Sequence, residues 1–143
     1  MGEALIDTNI LVYAYDTAEP QKRLACRKLA QKCWEKEILS AVLIQNLAEF
    51  YSVATKKIER PISKEDAEQI IYEIAASGIW RVLEIKITTL ATAINYNKLY
   101  GLGIYDSLIA AAMAENAIAT IYTENEKDFK KIPGLEVINP FKR

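Results

Sequence analysis

The chain has 143 residues, 51% of them hydrophobic, which is enough for one well-filled core and too few to expect two domains. Lys and Arg total 18 against 19 Asp and Glu, and the resulting net charge of −1 argues against broad nonspecific binding to nucleic acid. No run approaches the roughly 18 apolar residues needed to span a bilayer, and an acidic Glu3 with no basic residue before Lys22 is the reverse of a secretory signal, so a cytoplasmic location is expected.

Glu3 to Ile6 reads as a buried strand ending at Asp7, after which Thr8 and Asn9 lead into the mostly apolar ILVYA. An unpaired carboxylate is costly to bury, so something must meet Asp7. Pro20 suits the first turn of a helix running to about Lys36, with Leu24, Leu29, Cys33 and Trp34 on its inner side. Cys26 and Cys33 share one face of that helix two turns apart, a spacing that fits neither a disulfide nor a zinc site. Ile38 and Leu39 form a short strand, Ser40 is a candidate N-cap, and Leu43, Leu47, Phe50, Tyr51 and Ala54 repeat at helical spacing. KKIERPIS is the internal loop, and Ser63 to Asp66 opens a helix carrying Ala67, Ile70, Ile71 and Ile74 that Gly78 ends.

IWRVLEI reads as a strand, and Thr88 or Thr89 begins a helix through Leu90, Ile94 and Leu99 to Gly101. A glycine-rich turn then precedes an alanine-rich helix starting near Asp106. IATIY is a strand, ENEKDFKK a turn or short helix, and LEVI a final strand. Strands alternating with helices imply a single α/β domain over residues 1–143, with a mostly parallel central sheet flanked by helices on both faces.

The chain contains no histidine, which removes the commonest general base and the commonest zinc ligand together. Metal chemistry would then rest on oxygen ligands, which suit Mg²⁺ or Mn²⁺. In open parallel sheets ligands bind beyond the carboxyl ends of the strands. Asp7 lies at one such end, Thr123, Glu124, Asn125 and Asp128 follow another, Asp106 follows the glycine-rich turn, and Glu49 sits within a helix. Each acid alone has an ordinary explanation: Asp106 as a helix cap, Glu49 as part of a solvated stripe, Asp128 as a surface charge. Asp7, between ALI and TNILVYA, does not. Lysine and arginine also cluster, at Lys22 to Lys36 with a local balance of +5, at Lys56, Lys57 and Arg60, and at Lys127, Lys130 and Lys131.

LIDTNILVYA, NLAEFYSVA, YDSLIAAAMA and YTENEKDFKKIPGLEVINP, in that order, resemble the four signatures of PIN-domain nucleases, and the short chain most resembles the VapC toxins of VapBC toxin–antitoxin pairs. The resemblance covers nearly the whole chain, and its specificity lies in order and spacing. It implies that Asp7, Glu49 and Asp106 are metal-binding carboxylates of the catalytic centre, with Asp128 completing or supporting it. Asn125 falls where relatives carry an acid or an amide, so Asn125 and Asp128 are both candidates for the fourth ligand, ahead of Glu124 and Glu126. Thr8, Asn9 and Thr123 match small polar residues that orient the acids. The implied activity is Mg²⁺- or Mn²⁺-dependent hydrolysis of RNA, and the implied partners are an antitoxin protein and a second copy of the chain.

Two alternatives carry different functions. A catalytically silent PIN-like domain would bind RNA or protein without cutting, since fold alone does not confer activity. A phosphoacceptor receiver domain would need paired acids after the first strand and an acceptor Asp ending a middle strand, whereas Thr8 and Asn9 follow Asp7 and IWRVLEI offers Glu84. Asn9 likewise disfavours a haloacid-dehalogenase-type phosphatase, which places a second Asp there.

Overall fold

The computed structural model describes residues 2–142. Five short strands, β1 (Ala4–Ile6), β2 (Ser40–Leu43), β3 (Arg81–Leu83), β4 (Thr120–Tyr122) and β5 (Glu136–Ile138), pair in parallel in the order β3-β2-β1-β4-β5. Seven helices are present among the described residues: α1 (Thr8–Tyr13), α2 (Pro20–Trp34), α3 (Ile44–Lys56), α4 (Lys64–Ala76), α5 (Ile87–Tyr100), α6 (Ile104–Glu115) and α7 (Glu126–Phe129). The expected single α/β domain is therefore observed, with the sheet wholly parallel.

Alternate strand residues feed two cores, as a sheet covered on both faces requires. Ala4, Ile6 and Val42 pack with α1 to α4, including Leu29, Phe50 and Ile74. Leu5, Ala41, Leu43, Leu83 and Ile121 face the other way, onto Ala93 of α5 and Ile109, Ala112 and Met113 of α6. The order also has a switch point: from β1 the chain moves outward through β2 and β3, then returns to the opposite side of β1 for β4 and β5. The crevice beyond the carboxyl ends of β1 and β4 is where such a sheet binds its ligand. A receiver domain has the order 2-1-3-4-5 instead, so the topology removes that alternative.

Several boundaries differ from the sequence expectation. The run after Asp7 forms α1, a helix too short for its apolar residues to reveal a period. Ser40 is not a cap: it opens β2, and the strand runs to Leu43 instead of ending at Leu39. Leu39 is exposed while Ser40 to Leu43 are buried, because pairing to β1 aligns Ala4 with Ser40. Only Arg81–Leu83 of IWRVLEI pairs as strand. In α2, Leu29 and Cys33 face inward as expected, but Leu24 is 57% exposed and Cys26 takes the inner position. The two thiols are free and buried, and that burial raises Cys26 to about 12 and Cys33 to about 11. Ser63 does cap α4, its hydroxyl accepting from the Asp66 amide at 3.0 Å.

Helix α5 packs through its small residues. Thr89 and Ala93 are fully buried against the alanine-rich α6, whereas Leu90, Ile94 and Leu99 turn outward beside an 80% exposed Ile87. Gly101 ends the helix at φ 70°, a left-handed conformation that glycine adopts without a Cβ penalty. No helix among the described residues is long and apolar enough to cross a membrane.

The register of α2 predicts a contrast. Leu29→Ala, which empties a buried site, should cost about 2–5 kcal/mol in urea unfolding, while Leu24→Ala should stay within about 0.5 kcal/mol of wild type. Equal losses would place the inner face where the apolar spacing alone put it.

Candidate metal centre

Asp7 follows β1 at the sheet's carboxyl edge and is only 6% exposed. Four groups from three elements meet its carboxylate. Its Oδ1 accepts from the backbone amide of Thr8 at 2.8 Å, which makes Asp7 the N-cap of α1. Its Oδ2 accepts from the Thr123 hydroxyl at 2.7 Å and from Asn9 Nδ2 at 3.2 Å. Asn46 Nδ2 stands 3.5 Å from Oδ1. Strand register explains the contact with Thr123: Ile6 pairs with Tyr122, so the next residue of each strand emerges side by side.

Burial raises the Asp7 carboxyl above its ordinary range, and the bonds from Thr123, Thr8 and Asn9 oppose that rise. All of these donors are neutral. Among the described residues no Lys or Arg forms an ion pair with Asp7, Glu49 or Asp106.

Asn46 is a positioning residue that sequence reasoning does not single out. It is fully buried in the first turn of α3, its Oδ1 accepts from the Leu43 amide at 2.9 Å, and its Nδ2 donates to the Thr8 hydroxyl at 2.9 Å. It thus closes the start of α3 and ties it to Thr8. The available signal was its spacing, three residues before Glu49 and so on the same helix face.

Asp106 does not cap its helix: Gly103 holds the cap position, and Asp106 sits in the first turn with its carboxylate turned to Asn125, whose Nδ2 donates to Oδ2 at 3.1 Å. Desolvation, then the negative charges of Asp7, Asp128 and Glu49, raise its pKa to about 6, against which Asn125 works. Burial also raises Glu49, with a smaller contribution from Asp7, opposed by Gln45 and Lys57. Asp7, Thr8, Asn9, Glu49, Asp106 and Asn125 line one open cleft of about 550 Å³.

Asp128 stands apart from that wall. It lies on α7, pairs with Lys131 at 3.4 Å, and reaches the cleft only through its charge on Asp106. Asn125, the other candidate for the fourth position, touches Asp106 directly. Glu124 points away to Lys22 and Tyr13, and Glu126 pairs with Lys130 and Lys142.

The donor set is three carboxylates and the carboxamides of Asn9 and Asn125, all with hard oxygen donors, on a cleft where the charges of Asp7 and Glu49 add to the rise of Asp106. Among the described residues no three acids are gathered into a closed metal cage. Mg²⁺ does not need one, because it keeps several waters and is commonly held by one or two carboxylates. The residues fit such an ion.

Desolvation of Asp106, together with the neighbouring negative charges, has a measurable consequence in metal-free protein. The raised Asp106 means that its ionised form is disfavoured in the fold, a penalty absent below its ordinary pKa of 3.8 and complete above about 6. Stability should therefore fall as pH rises through that window. Asp106→Asn should remove this part of the fall, matching wild type near pH 3.5 and exceeding it at pH 7 by about 1 kcal/mol, allowing for solvent screening of a half-open carboxylate. Thermal melts in EDTA across that range check it, and parallel curves would contradict it.

A PIN-domain family profile matches residues 4–135. No curated protein matches the chain significantly. Among solved structures, a toxin–antitoxin complex from Klebsiella pneumoniae superposes with a TM-score of 0.70 at 24% identity, covering 99% of this chain and 100% of that one. VapC20 of Mycobacterium tuberculosis, described as a sarcin–ricin-loop-cleaving toxin, gives 0.72 at 15% identity over 94% and 98% of the two chains. VapBC2 of Rickettsia felis, bound to a promoter DNA fragment, gives 0.65 at 24% identity over 96% and 98%. With a profile spanning nearly all of its length and an α/β fold shared with these structures, the chain belongs to the PIN-domain family.

Proposed function

We propose that this PIN domain is a Mg²⁺- or Mn²⁺-dependent endoribonuclease that acts in the cytoplasm as the toxin of a toxin–antitoxin pair. The observation that carries the reading is the convergence of Asp7, Glu49, Asp106 and Asn125 on one cleft at the switch point, with no cation among the described residues paired to the three acids. Asp7 and Asp106 would hold the ion, Glu49 and Asn125 would support it, and Asp128 would contribute charge. A bound divalent ion lowers the pKa of its water and stabilises negative charge on a phosphate, so the hydrolysis requires no side-chain nucleophile. Thr8, Asn9, Thr123 and Asn46 hold Asp7 in place for that task, and the first three oppose the rise that burial imposes on its carboxyl.

Of the three basic groups, the second is best placed for substrate. Lys57 lines the same cleft as the acids, at the end of the helix that carries Glu49, where it could meet a phosphate backbone. Lys130 and Lys131 are engaged by Glu126 and Asp128, so the third group is in part already neutralised. Ile87, Leu90 and Ile94 form an exposed apolar row on α5 that a second copy of the chain would cover. An antitoxin would inhibit by setting an Arg or Lys among the unpaired carboxylates.

Purified protein should cleave single-stranded RNA with Mg²⁺ or Mn²⁺, and EDTA should abolish the products. Asp106→Asn should lose more than about 100-fold in rate while remaining folded. With a metal dissociation constant of about 1 mM, about 10 mM Mg²⁺ should stabilise wild type by roughly 1.4 kcal/mol and the variant by much less. Cleavage undiminished in EDTA would exclude the mechanism.

Expression of the chain alone should arrest growth, and co-expression of the gene adjoining it should relieve the arrest. Harmless expression of a protein that cleaves RNA freely in vitro would remove the toxin assignment and leave the nuclease one.

A further inference from the structure

The turn after β4 alternates in direction. Thr123 and Asn125 face the acids, one donating to Asp7 and the other to Asp106. Glu124, between them, faces the opposite way, where Tyr13 Oη donates to its Oε1 at 2.7 Å and Lys22 Nζ to its Oε2 at 2.6 Å. Its backbone amide donates to Asn9 Oδ1 at 3.1 Å, so the same residue also grips a donor to Asp7. Lys22 Nζ lies 4.8 Å from the Tyr13 ring centre and 5.3 Å from that of Phe141, and the two rings meet edge to face at 5.4 Å. A short segment near the C-terminal end therefore closes over the ion pair.

We propose that Glu124, held by Lys22 and Tyr13 beneath Phe141, is a positioning residue that sets the Asp7 and Asp106 carboxylates relative to one another through Thr123 and Asn125. The proposal rests on the metal-centre reading above and deepens it. Asp7 and Asp106 come from different elements and repel, so their separation is not fixed by any bond between them. Among the described residues the side chains of this turn bond to both, and Asn125 N also donates to Thr123 Oγ1 at 2.9 Å, which makes the turn a single unit. A unit that spans two like charges is useful only if its own position is fixed. Glu124 supplies that anchorage from α1 and α2, and its pairing with Lys22 keeps its own charge from adding to the cleft.

The test uses two readouts that need no RNA. In ¹⁵N-labelled, metal-free full chain, Glu124→Gln and Lys22→Met should each shift the side-chain amide signals of Asn125 and Asn9 while leaving the melting curve cooperative. Calorimetric titration with Mn²⁺ should show about 10-fold weaker binding in each variant. The double variant should be no weaker than either single one, because both act through one contact. Lys142→Met, which breaks a nearby ion pair with Glu126, should leave both readouts at wild type.

Unmoved Asn125 and Asn9 signals, unchanged Mn²⁺ affinity, or additive losses in the double variant would each overturn the positioning role. If Glu124→Gln fails to fold, Lys22→Met alone decides by the same two measurements. Absence of RNA cleavage by wild type would defeat the nuclease reading without touching this result.

Discussion

The desolvation of Asp7 is the constraint around which the structure is arranged. A carboxylate at the end of the central strand loses water on nearly every side, and folding proceeds only if donors replace that water. The replacements come from the next residue in sequence, from the neighbouring strand end and from the first turn of α3. Each demands a structural decision elsewhere: the parallel register of β1 with β4, the immediate start of α1, and the entry of α3 directly from β2. All the donors are neutral, so none of them cancels the carboxylate's charge when it is ionised. An arginine in the same place would satisfy Asp7 more strongly and would cancel the negative potential that the cleft presents.

This choice leaves electrostatic tension in the fold. Asp7, Glu49 and Asp106 arrive on three separate elements; burial raises each of them, and the charges of Asp7 and Glu49 raise Asp106 further. Placing them on separate elements allows each to be tuned alone. Asp106 is steadied by one amide bond from Asn125, and Glu49 is partly compensated by Lys57. Strain concentrated at a binding site and offset by packing elsewhere is the pattern expected where function competes with stability.

The sequence made Asp7 legible because its neighbours are apolar, and made the fold legible because its strands and helices alternate. Other features depend on tertiary context. Asn46 inside a helix looks like any solvated amide until β2 delivers α3 to the back of Asp7. Ser40 resembles a cap because local chemistry cannot reveal that β1 pairs with it. Leu90, Ile94 and Leu99 look like a core stripe, yet α5 buries Thr89 and Ala93 because small residues let it approach α6 closely. The Asp106 cap and metal readings differ only in where Asn125 lies, and Asn125 is 19 residues away in sequence.

The distribution of cations explains how a chain of net charge −1 can suit a polyanion. Lys22, Lys130, Lys131 and Lys142 are each bound to an acid that lies off the cleft wall, namely Glu124, Glu126 or Asp128. Those pairings offset part of the acids' charge, though Asp128 still acts on Asp106, while among the described residues Asp7, Glu49 and Asp106 have no ion pair. Lys57 remains on the cleft wall with them. Asp7, Glu49 and Asp106 thus present negative charge that a divalent ion would neutralise, and Asp16, Glu19 and Glu59 on the same cleft wall add to it. Without metal, the cleft repels phosphate and attracts a basic side chain; with metal, that preference reverses. Under the proposed function, one set of carboxylates would serve a substrate through its metal and an inhibitor through a basic side chain.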